Sequence, residues 1–145
     1  MYTFTRARFA GGMLSGNGVP EIPLHTGSLS AGVEHVGGWH ASLTIDSSGR
    51  FFSDPSNIIP FTLADEDGFI LGPGDAFDVR EPVVLGRVPG RTLLSGRVSY
   101  TVRGTPATIW IQGRNLADRL YVADVANGLR PGAARTITAG VRVVF

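Results

Sequence analysis

The chain is 145 residues long, about one domain, and with 43% hydrophobic and 17% charged residues it is not intrinsically disordered. A net charge of +1 supplies no global field for nucleic acid, and the lack of Cys removes disulfide scaffolds, thiolate zinc sites and Cys nucleophiles. Arg, Asp, Glu or Pro interrupts every apolar run well short of the roughly 18 residues of a spanning helix, which excludes a helical membrane protein.

Hydrophobic residues recur with period 2, and no segment shows the helical i, i+3, i+4, i+7 pattern between caps, so the chain reads as all-β. A weak strand is expected over residues 2–10. Arg6 and Arg8 there precede only a short apolar run broken by Gly11 and Gly12, which is not a secretory signal. After a loop at 14–24, Leu29, Ala31 and Val33 oppose Ser28, Ser30 and Glu34. The tight turn Val36-Gly37-Gly38-Trp39 follows, and then Ala41, Leu43 and Ile45 oppose Ser42, Thr44 and Asp46.

The long connection at 54–90 is strongly acidic. Asp54, Asp65, Glu66, Asp67, Asp75, Asp78 and Glu81 face only Arg80 before Pro82. Beyond it, Leu94, Gly96, Val98, Tyr100 and Val102 alternate with Ser95, Arg97, Ser99 and Thr101. The turn Arg103-Gly104-Thr105-Pro106 leads to Ile109, Ile111 and Gly113 opposite Thr108, Gln112 and Arg114, with Trp110 breaking the polar face. After a loop at 122–134, the last strand sets Ile137, Ala139, Val141, Val143 and Phe145 against Thr136, Thr138, Gly140 and Arg142.

Short and long connections therefore fall at opposite ends of the strands. A transmembrane β-barrel shows this asymmetry, with strands alternating apolar-out and polar-in. A soluble β-sandwich or jelly roll alternates in the same way, because its sheets have one wet face. In a barrel, Arg97, Arg114 and Arg142 face the lumen as a basic stripe on three neighbouring strands, available to an anionic ligand or simply solvated. Trp39, Tyr100 and Phe51 are candidates for the interfacial aromatic girdles, or for core packing in a sandwich.

The run Asn115-Leu116-Ala117-Asp118-Arg119-Leu120-Tyr121, then Gly132-Ala133-Ala134-Arg135, then an alternating strand ending on Phe145, resembles the C-terminus of TonB-dependent outer-membrane receptors. Asn115, Leu116, Asp118, Tyr121 and Arg135 carry the likeness. Val19-Pro20-Glu21-Ile22-Pro23-Leu24-His25, Gly49-Arg50-Phe51-Phe52-Ser53-Asp54-Pro55-Ser56-Asn57 and Val88-Pro89-Gly90-Arg91 extend it over roughly residues 16–145. Ala117 stands where the family usually has an aromatic, and Ala134 where it often has Pro.

The resemblance implies a 22-stranded barrel around an N-terminal plug, of which this chain has length for about the last six antiparallel strands and none for the plug. Six strands cannot close in lipid without unsatisfied edges, so the expectation is a barrel segment, a single partial domain over 1–145. The implied function is TonB-driven uptake of a ferric siderophore or similar chelate, with vitamin B12 or an oligosaccharide as other family substrates. The implied location is the outer membrane, although this sequence shows no signal peptide. The implied partners are outer-membrane lipid, the remaining strands and plug, and TonB through the N-terminal part. The assembly machinery is a further partner, reading Ile137, Ala139, Val141, Val143 and Phe145. A soluble β-sandwich binding module is the alternative.

No enzyme is expected, because no G-x-S-x-G elbow, P-loop or dinucleotide fingerprint occurs. Neither is a metal or a cofactor: His25, His35 and His40 lack zinc-site spacing, and Phe69 follows Asp65-Glu66-Asp67-Gly68 where a calcium loop needs a ligand.

Overall fold

The computed structural model describes residues 1–57, 62–64, 83–126 and 129–144. In chain order its strands are β1 (Tyr2–Phe4), β2 (His25–His35), β3 (Trp39–Ser48), β4 (Phe51–Phe52), β5 (Thr62–Ala64) and β6 (Val83–Leu85). These are followed by β7 (Arg87–Val88), β8 (Arg91–Thr101), β9 (Ala107–Arg114), β10 (Val122–Asp124), β11 (Arg130–Pro131) and β12 (Thr136–Val143). Six of them form one sheet in the order β1-β2-β3-β8-β9-β12, and every pair is antiparallel. The small ladders β4–β7, β5–β6 and β10–β11 lie within the long connections.

Tight turns join β2 to β3 and β8 to β9 at one end. In the first, Gly38 adopts φ 88° and donates its N–H to His35 O at 2.9 Å. A Cβ there would stand 2.7 Å from Thr101 O, so left-handed backbone and close approach both require glycine. Val143 pairs with Ala107, so β12 also finishes at this turn end. The described parts of the connections 5–24, 49–90 and 115–135 lie at the opposite end.

Register carries the alternation across the sheet. One rung runs Val33, Ala41, Val98, Ile111, Ala139, and the next toward the loops runs Ala31, Leu43, Gly96, Gly113, Ile137. The intervening rung, Gly32, Ser42, Arg97, Gln112, Thr138, projects to the other face because side chains alternate along each strand.

The apolar face is open. Leu29 is 69% exposed, Val33 70%, Ile137 62% and Val141 65%. The buried core among the described residues is small: Val88 and Val125, packed by Phe51 and Val122 at the loop end. A soluble sandwich would lay a second sheet over these side chains, and among the described residues none does, which goes against that alternative. Phe51 likewise departs from the girdle expectation. It pairs with Val88 in the loop layer instead of standing on the sheet face.

Candidate functional site

The apolar face carries aromatic groups at both ends. Trp39 and Tyr100, cross-strand partners at the turn end, have ring centroids 4.6 Å apart. At the loop end, Tyr2 and Phe4 flank His25, with centroids at 6.0 and 5.3 Å, and the Tyr2 hydroxyl is hydrogen-bonded to His25 Nδ1 at 2.6 Å. His35 pairs with Trp39 and His25 with Phe4, and the two histidines stand ten residues apart on β2. That separation is about 33 Å along a strand, and about 25 Å along the normal of a barrel whose strands tilt by 35–45°. This is the height of a lipid-facing apolar band, with aromatics at its two margins.

On the polar face, Arg97 lies over the Trp110 ring at 4.6 Å from its centroid, and Trp110 lies across Gly140, its direct partner on β12. A Cβ on Gly140 would be 2.7 Å from Trp110 Cζ2, so the bare backbone makes room for the indole. Arg97, Arg114 and Arg142 stand on the adjacent strands β8, β9 and β12 and share this face. They occupy three different rungs: Arg97 beside Gln112, Arg114 beside Thr136 and Arg142 beside Thr108. Arg114 and Arg142 are thus six residues apart in register, about 20 Å along the strands. Near the loop end, a concavity of about 580 Å³ is lined by Asp46, Gln112, Arg114, Trp110 and Tyr121. It offers hydrogen-bond donors, acceptors and aromatic faces on one wall.

The residues of the C-terminal motif brace the connection after β9. Asn115, 4% exposed and at φ 48°, donates from Nδ2 to Arg119 O at 2.9 Å and Ala133 O at 3.0 Å, and Oδ1 accepts from Arg119 N at 2.9 Å. Asp118 Oδ1 accepts from Arg135 N at 3.0 Å, and the two side chains form an exposed ion pair at 3.9 Å. Leu116 donates its backbone N–H to Leu94 O and turns its side chain over the facing glycines Gly96 and Gly113. The Tyr121 ring lies on Gly132 and beneath Arg91, whose guanidinium is 4.7 Å from the ring centroid and donates to Val122 O at 3.1 Å.

Ile137, Ala139, Val141 and Val143 alternate on the apolar face of β12, whose outer edge has no partner among the described residues, and Phe145 lies outside those residues. Asp65, Glu66, Asp67, Asp75, Asp78 and Glu81 also lie outside them. Asp54 is 6% exposed, and its Oδ2 accepts from Gly86 N at 3.2 Å. Among the described residues there is no cluster of three or more His, Cys, Asp or Glu able to hold a metal. Sequence reasoning missed Tyr2 and Phe4 as aromatic markers. Their alternation with Thr3 was a usable signal, but the placement of β1 beside β2 was not.

The fold and its two faces are those of a stretch of β-barrel wall, all-β and antiparallel. No family model and no curated protein sequence matches the chain. Among solved structures it is similar to the ferric citrate transporter FecA in its unliganded form, with a TM-score of 0.72 and 25% identity over 97% of this chain. The match takes in 20% of the transporter's own chain, so this sequence spans about a fifth of that length. The matched protein is a transporter.

Proposed function

We propose that this chain forms part of the barrel wall of a TonB-dependent outer-membrane receptor that imports a ferric siderophore or a similar iron chelate. The observation that carries this reading is the open apolar face, bounded by aromatics at two levels ten residues apart along β2, a separation that spans a lipid-facing band of about 25 Å at the tilt of a barrel strand. The likeness to a ferric citrate transporter over 97% of the chain supports it.

In this reading lipid covers Leu29, Val33, Ile111 and Val141, and the polar face with Arg97, Trp110 and Arg142 lines the passage. The outer edges of β1 and β12, and of β2 beyond its ladder with β1, have no partner among the described residues and pair with further strands of the barrel, since an open edge in hydrocarbon costs several kcal/mol for each unsatisfied backbone group. The 5–24, 49–90 and 115–135 connections face outward for ligand capture. TonB acts through a plug-bearing part of the receptor, and the alternating residues of β12 are read by the assembly machinery.

Uptake of radiolabelled iron in the source organism, with and without the gene, tests the proposal. Loss of import from ferric citrate or from a siderophore, restored by the gene, is the expected result. Unchanged iron import from every chelate, together with the product's absence from the outer-membrane fraction, would overturn it.

A further inference from the structure

The 5–24 connection is a built platform. Thr5 donates to Leu24 O at 3.0 Å, Val19 to Ala7 O at 3.1 Å and Phe9 to Asn17 O at 3.0 Å, while Arg8 bridges Gly18. It is fastened to the next connection as well. Glu21 N donates to Phe52 O at 2.8 Å, Asn17 Nδ2 to Pro55 O at 2.9 Å, and Gly18 N to Asn57 Oδ1 at 2.6 Å. Arg87 is held in register with Phe52 by the β4–β7 ladder.

Between these segments lies a concavity of about 520 Å³ lined by Arg6, Arg8, Arg50 and Arg87. Among the described residues no carboxylate lines it, and none of the four arginines is within ion-pair distance of one. Four arginines on the lining give the concavity a surplus of positive charge among the described residues, which a multiply charged anion offsets. A phosphate monoester, with up to two charges and three acceptor oxygens, matches the bidentate fork of Arg better than a point charge does. The rest of the lining combines the polar Thr5, Asn17 and Asn57 with apolar side chains, among them Phe4, Ile22, Phe51 and Phe52. Phe4 also belongs to the loop-end aromatic group of the apolar face, so the basic concavity opens where that face ends.

We infer that this pocket binds a phosphate-monoester head group, with Arg6, Arg8, Arg50 and Arg87 holding the phosphate and the aromatic margin taking the apolar part of the ligand. Two sources share that chemistry: an anionic lipid at the membrane margin and a free phosphorylated solute. The pocket is separate from the polar-face passage, so the inference does not depend on which chelate is imported.

The test, which rests on the barrel reading above, is titration calorimetry on the complete receptor that contains this chain, purified in non-ionic detergent. The probes are short-chain phosphatidic acid, short-chain phosphatidylcholine and inorganic phosphate. Arg6→Gln, Arg8→Gln, Arg50→Gln and Arg87→Gln are compared with the parent, and far-UV circular dichroism verifies the strand content of each. Phosphatidic acid is expected to bind, phosphatidylcholine not to, and each substitution to weaken binding by about 10-fold or more, as for a lost hydrogen bond to a charged group. Binding of phosphatidic acid without inorganic phosphate identifies the lipid source. Comparable binding of both, with the same loss in the variants, identifies a free solute. No binding of either probe, or binding that the four substitutions leave unchanged in folded protein, overturns the inference.

Discussion

Substituting Arg on one rung or the next separates a lipid-facing apolar face from a face buried in a protein core. Leu43 lies four residues from Trp39 on β3. With strands tilted as in a barrel, this puts it about 10 Å above the Trp39 level, within about 3 Å of the middle of a 25 Å band. An Arg there costs about 2–4 kcal/mol, the value for a barrel midplane, and an Arg near either margin costs about 0–1 kcal/mol. Leu43→Arg should therefore lower the folding equilibrium constant by about 30- to 700-fold, at 1.4 kcal/mol per factor of ten. Ser47→Arg, four residues further along the same face and level with Tyr2, should cost about 1 kcal/mol or less. Thr44→Arg, adjacent in sequence but on the polar face, forfeits a hydroxyl contact to Ser30 and stays within about 1 kcal/mol. The assay is reversible urea unfolding from lipid vesicles, followed by the fluorescence of Trp39 and Trp110. Equal costs at Leu43 and Thr44, or a larger cost at Ser47 than at Leu43, would refute the lipid-facing assignment.

Asn115→Asp keeps the acceptor for Arg119 N but removes the donor to Arg119 O and Ala133 O, and should destabilise the buried brace by about 2–4 kcal/mol, read as a lower urea midpoint and faster proteolysis between 116 and 134. Gly140→Val drives a side chain into the Trp110 indole and should cost about 1–3 kcal/mol. Pairing it with Trp110→Ala should recover part of that loss, and strictly additive costs would show that the two positions do not touch. Arg97→Ala removes the cation from an accessible indole face. It should cost about 0.5–1 kcal/mol and shift the emission of Trp110, with Trp39→Phe as background to isolate that signal. Asp118→Asn should change stability by less than about 0.5 kcal/mol, because the ion pair to Arg135 is long and exposed while the amide oxygen can still accept from Arg135 N.

Period-2 alternation is a property of the backbone, so the sequence alone determined that β2, β3, β8, β9 and β12 have an apolar and a polar face, and which residues stand on each. Turn chemistry did the same for the glycine turns, and the unequal connections implied a turn end and a loop end. Alternation is the same in a barrel and in a sandwich, however, because each has one apolar and one wet face. Only the tertiary arrangement showed that no second sheet among the described residues covers Leu29, Val33 and Val141. The rungs were equally out of reach. Arg97, Arg114 and Arg142 share a face by parity alone, but their separation depends on pairing register, which the hydrophobic pattern leaves free to shift by two residues at a time. Trp110 looked like a break in the polar pattern until β12 placed Gly140 opposite it and β8 brought Arg97 over it. Arg6, Arg8, Arg50 and Arg87 line one concavity only because backbone hydrogen bonds fasten the 5–24 connection to residues 50–57, a contact between distant segments that no local periodicity encodes.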